Sequence, residues 1–104
     1  MHPDGFSFLA GTEVMSSQQA GWVFDQDSDG SERTFRRHVA FQRCFHNAPL
    51  VHLGIAGFDI ANQDAARLTA SVARVTPEGF EIVLSTWLHT RLWRVDINWL
   101  ALGS

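Results

Sequence analysis

Apolar and polar residues alternate along most of this chain, with the period of two that a half-buried strand requires. The pattern is clearest between Pro77 and Leu100. Phe80, Ile82 and Leu84 fall on one face there, and Glu81, Ser85 and Trp87 on the other. Beyond residues 88–90, Trp93, Val95, Ile97 and Trp99 alternate with Arg94, Asp96 and Asn98. This reads as a hairpin, with Trp87 and Trp93 at the strand ends beside a short turn, where a ligand can reach them.

The same period predicts strands upstream. Residues 9–15 suit a short strand that Gly11 breaks or bulges. Residues 34–41 set Phe35, Val39 and Phe41 against Thr34, Arg36 and His38. Residues 51–60 have an apolar side of Val51, Leu53 and Ile55 and a small-residue side of His52, Gly54 and Ala56. Residues 67–75 set Leu68, Ala70 and Val72 against Thr69 and Ser71. Polar or Pro/Gly-bearing connectors separate them: 16–21, the acidic run 25–31, 47–49, 61–64 and 75–79. No stretch has a convincing helical period. Six short, regularly spaced strands predict an all-β chain, a six-stranded antiparallel β-sandwich.

With 104 residues the chain has the length of one domain, able to bury a real core. The net charge is −3 and the basic residues are dispersed, which argues against a nucleic-acid or polybasic membrane partner. No apolar run is long enough to insert in a bilayer. Met1-His2-Pro3-Asp4-Gly5 lacks a cationic segment followed by an apolar one, so no secretory signal is visible and the location stays unassigned. A single cysteine, Cys44, excludes an intrachain disulfide framework and reads as a small buried apolar residue. Trp22 reads as a core or edge anchor rather than a binding group. No Ser/His/Asp, HExxH or Cys/His signature is present, and nothing fixes the separation of Asp29 and Asp64, so no enzyme is expected. The five histidines are scattered and do not read as a metal set.

An ordered series of short stretches carries a resemblance. They are Gly21-Trp22, Arg36-Arg37-His38-Val39-Ala40-Phe41, and Pro49-Leu50-Val51-His52-Leu53-Gly54-Ile55 with Phe58-Asp59-Ile60. Arg67, Thr76-Pro77-Glu78-Gly79-Phe80, Thr86-Trp87, Thr90-Arg91, Trp93 and Asn98-Trp99-Leu100 follow. Their order and spacing resemble the H-type lectin family, the snail agglutinins and discoidin C-terminal domains, over roughly residues 9–103. Residues 1–8, with Pro3 and Gly5, read as an N-terminal loop, and the resemblance implies a lectin domain over 9–104. It also implies a homotrimer that binds terminal N-acetylgalactosamine or galactose at clefts between subunits, in a setting such as cell adhesion. The faces His52/Gly54/Ala56 and Arg94/Asp96/Asn98 become candidates for the trimer contact. The alternative reading is a structural trimerisation module with a degenerate sugar site.

A galactose-type sugar presents an axial 4-hydroxyl beside an equatorial 3-hydroxyl, which a guanidinium and a carboxylate clamp together. By resemblance the guanidinium falls on Arg67. The carboxylate belongs to the acidic loop, where strict spacing gives Gly30. Asp29 is the nearest acid, and Asp27 and Ser31 are alternatives. The aromatic wall falls on Trp87 and Trp93. Leu88 stands where the family has a histidine, and His89 lies one place further on. A competing reading takes Asp25, Asp27 and Asp29 as the opening of a calcium loop, but Arg36 stands where its twelfth-position glutamate belongs. No other cofactor is expected.

Overall fold

The computed structural model describes residues 7–26, 30–61 and 65–104. Six strands form among them: β1 (Ser7–Ser16), β2 (Gly30–Ala40), β3 (Leu50–Ile60), β4 (Thr69–Thr76), β5 (Gly79–Leu88) and β6 (Leu92–Gly103). They make two three-stranded antiparallel sheets, ordered β1-β6-β3 and β2-β5-β4. The predicted antiparallel sandwich is the observed fold.

Alternation explains the layering. Phe80, Ile82 and Leu84 of β5 and Val95, Ile97 and Trp99 of β6 line the interior, and all six are buried. Met15, Phe35 and Val39 complete the layer from β1 and β2. Of core and edge, Trp22 takes the core, and its Nε1–H donates to the Leu92 carbonyl at 2.9 Å. That bond satisfies an indole donor which burial would otherwise leave costly.

The predicted hairpin is not one. β5 ladders with β2 and β4, whereas β6 ladders with β1 and β3, so the segment 89–91 crosses from one sheet to the other. Leu88 takes the left-handed conformation, φ 56°, at the start of this crossing. Thr90 and Leu92 are fully buried, which pulls the chain through the layer between the sheets. Trp87 and Trp93 therefore stand on different sheets.

Other boundaries move for similar reasons. Gly11 neither breaks nor bulges β1, whose pairing with β6 runs without a register shift and starts at Ser7. Gly11 lies opposite Trp99, and a Cβ there would sit 2.7 Å from the indole ring, so the glycine makes room for a large neighbour. β2 reaches back to Gly30, into the acidic run, through a shifted register between Gly30 and Arg33. β3 carries a register shift between Ile55 and Gly57, so its two faces do not run its full length. Arg67 precedes β4. Cys44 is exposed, contrary to the expectation of a buried residue. Its neighbour Phe45 turns inward and packs on Phe41, ring centres 5.2 Å apart.

Candidate functional site

Strand direction decides which connections meet. β1, β3 and β5 all run toward one end of the sandwich, and β2, β4 and β6 start there. That end gathers the β1–β2 loop, the β3–β4 loop and the β5–β6 crossing.

A polar network ties the three together. Arg33, at an inward position of β2, sends Nη1 to the carbonyls of Phe24 (3.4 Å) and Gln26 (3.0 Å) in the β1–β2 loop. Its Nη2 donates to the carbonyls of Leu88 (3.0 Å) and Thr90 (2.7 Å) in the β5–β6 crossing. Thr90 carries the connection onward. Its hydroxyl accepts from Arg67 Nη1 at 3.1 Å and donates to the Ala65 carbonyl at 2.6 Å. The Thr86 hydroxyl donates to the Arg67 carbonyl. The Leu92 amide donates to the Phe24 carbonyl at 2.8 Å, and the Ala61 amide to the Arg91 carbonyl at 3.2 Å. Hydroxyls and amides buried here thus find partners, as polar groups inside a protein must.

The predicted site residues distribute around this network. Arg67 is half-buried and bound to Thr90. Trp87 is half-buried on the outer face of the β2-β5-β4 sheet, in line with Glu81 and Ser85. Trp93 is half-buried near the start of β6, with the Arg91 guanidinium 6.0 Å from its ring centre. Leu92 and Val95 are both fully buried, so the alternation slips at Trp93 and leaves its ring partly outside the core. Leu88 (43% exposed) and His89 are at the surface. Ser31 is exposed on β2. Asp25 is half-buried, whereas Asp27 and Asp29 lie outside the described residues, as does Asp64, so the carboxylate expected beside Arg67 and two of the three acids of the calcium reading fall outside too. Among the described residues no three His, Cys, Asp or Glu side chains gather as a metal set.

Arg33 and Thr90 are the residues that the alternation did not single out as a pair. The available signal was parity: Arg33 and Arg37 share the inward face of β2 with Phe35 and Val39. An inward charge needs a partner. Arg37 finds Glu13 of β1 at 3.2 Å, and Arg33 finds the four carbonyls.

The H-type lectin domain model matches residues 36–102, more than half of the chain. The chain belongs to the H-type lectin family. It is thus a lectin domain, in a family of carbohydrate-binding proteins. A protein of Fuscovulum blasticum named "ATP synthase subunits region ORF 7" is 33% identical over 101 residues, covering 90% of this chain and 88% of the relative. Discoidin II of Dictyostelium discoideum superposes with a TM-score of 0.78 at 22% identity, over 94% of this chain. This lectin domain spans 37% of the discoidin II chain. An R1-type pyocin tail fibre of P. aeruginosa has the same fold at TM-score 0.58 and 18% identity, covering 97% of this chain and 24% of the fibre.

Proposed function

We propose that this lectin domain binds terminal N-acetylgalactosamine or galactose at clefts between the subunits of a homotrimer. The observation that carries the reading is the seat of Arg67. Its guanidinium is anchored through Thr90 beside the β5–β6 crossing, at the end of the sandwich where the acidic loop also arrives. One fixed N–H bond leaves other donors of the fork for the 3- and 4-hydroxyls. A carboxylate of the acidic loop, Asp29 or Asp27, accepts from the same hydroxyl pair, with Ser31 as the alternative. Trp87 or Trp93 stacks on the C–H face of the sugar, and the exposed Leu88 and His89 border the acetamide.

The trimer reading is supported by the outer face of the β1-β6-β3 sheet. Gly54 lies opposite Asn98, so the small-residue side of β3 continues directly into the polar side of β6. Toward the far end this face turns apolar, with Phe8 63% exposed and Leu50 71% exposed. Large exposed apolar residues on one sheet face mark a surface that a partner covers. The outer face of the other sheet carries Arg36 paired with Glu81 at 2.8 Å and a Thr34–Ser85 contact, both suited to water.

Assembly gives such a site its strength. A monosaccharide of about fifteen heavy atoms at about 0.3 kcal/mol each yields about 4.5 kcal/mol, a Kd near the millimolar range. Three sites engaging one multivalent glycan raise the apparent affinity about a hundredfold when the spacing permits. The alternative, a trimerisation module with a degenerate site, draws on Leu88 at the position of the family's histidine. A glycan array on wild type and Arg67→Ala separates the two. Galactose-type binding lost in the variant supports the lectin reading, and a silent wild type supports the module. Light scattering that returns a monomer mass at working concentration defeats the trimer.

A further inference from the structure

We infer that Arg33 is a positioning residue, one that sets the spacing between the acidic loop and the sugar-facing Arg67. The inference deepens the sugar-binding reading and rests on it for the ligand. Its ground is a division of labour within one guanidinium. Among the described residues Nη1 serves the β1–β2 loop, through Phe24 and Gln26, and Nη2 serves the β5–β6 crossing, through Leu88 and Thr90. A rigid planar fork between two loops fixes their separation, which a single ammonium on a flexible stem does not.

Stability alone gives a poor account of this arrangement. Among the described residues no carboxylate pairs with Arg33, and its Nε is buried without a partner. A half-buried guanidinium held, among the described residues, by carbonyl dipoles has no opposite charge to offset its desolvation. What the guanidinium adds is geometry. Leu88 sits at φ 56°, a conformation a leucine enters at a cost, and its carbonyl is one of the two that converge on Nη2. Thr90 is then held at both ends. Its carbonyl accepts from Arg33 while its hydroxyl accepts from Arg67. A continuous line of hydrogen bonds runs from the Gln26 carbonyl through Arg33 and Thr90 to Arg67, so a shift in the loop is felt at the group that meets the sugar.

The test combines amide hydrogen exchange with calorimetric titration of methyl α-N-acetylgalactosaminide into the full chain. Arg33→Lys and Arg33→Met are expected to raise exchange about tenfold or more at residues 22–26 and 88–92, while amides of Ile82, Leu84, Val95 and Ile97 keep wild-type rates. Affinity falls about tenfold or more in both, since lysine restores the charge and not the fork. Should these variants fail to fold, Thr90→Val keeps the carbonyl that Arg33 holds and removes the hydroxyl that Arg67 needs. Affinity should then drop with loop exchange unchanged. Unaltered exchange at both segments, exchange that rises equally in the core, or full affinity in Arg33→Lys overturns the role. A wild type that binds no sugar overturns the ligand reading, and the exchange measurements then decide the clamp alone.

Discussion

The two ends of this sandwich rest on similar foundations and are closed in opposite ways. At one end Trp22, Phe24 and Phe35 pack with ring centres 4.8 to 6.5 Å apart, and at the other Phe80 meets Phe41 at 5.6 Å and Trp99 at 5.3 Å. Over the first cluster lies the polar network of Arg33, Thr90 and Arg67. Over the second lie Phe45 and the Pro77–Gly79 turn, joined by the bond from the Phe45 amide to the Pro77 carbonyl at 2.9 Å. Aromatic closure contributes stability without direction. Closure by the guanidiniums of Arg33 and Arg67 and two threonines joins three loops through directed hydrogen bonds. The difference explains why the sugar-binding chemistry is proposed at one end alone.

Substitutions can break that contrast, and the largest effect belongs to the aromatic end. Phe80→Ala removes a fully buried ring from contact with Phe41 and Trp99 and should destabilise by about 3–5 kcal/mol. Denaturant melts measure it, and the folded fraction should retain its ligand affinity. A smaller loss, about 1–3 kcal/mol, is expected for Gly11→Ala, whose new methyl meets the Trp99 ring at 2.7 Å. If that variant melts like wild type, the close approach of β1 to the indole is wrong. Leu88→Gly relieves a left-handed leucine at the polar end and should change stability by about 1 kcal/mol or less, upward in a thermal melt. Its sugar affinity should fall because the crossing becomes freer. Least of all, Arg36→Ala breaks an exposed pair with Glu81 and should shift stability by about 0.5 kcal/mol or less, an effect that salt erases.

The strands and their faces were legible because a period of two survives without knowledge of neighbours. What lay beyond reach depended on partners. Residues 79–103 alternate as a hairpin would, yet nothing in that alternation states which strand pairs with which, and the buried Thr90 and Leu92 send the chain to the other sheet. Gly11 looks the same in sequence whether it bulges a strand or shelters an indole. Whether Cys44 or Phe45 turns inward is decided by the loop conformation rather than by either residue's hydropathy. Arg67 was found through the family pattern. Arg33 was visible only as a charge on an inward face, and its meaning required the positions of four carbonyls from two distant segments.

Titration of N-acetylgalactosamine into wild type and Arg67→Ala, in parallel with thermal melts, tests for a galactose-type site built on Arg67 at the polar end. Wild type should bind in the millimolar range and the variant not measurably, with melting midpoints that differ little. Equal binding by both proteins, or loss of binding accompanied by a collapse of the fold, would contradict such a site.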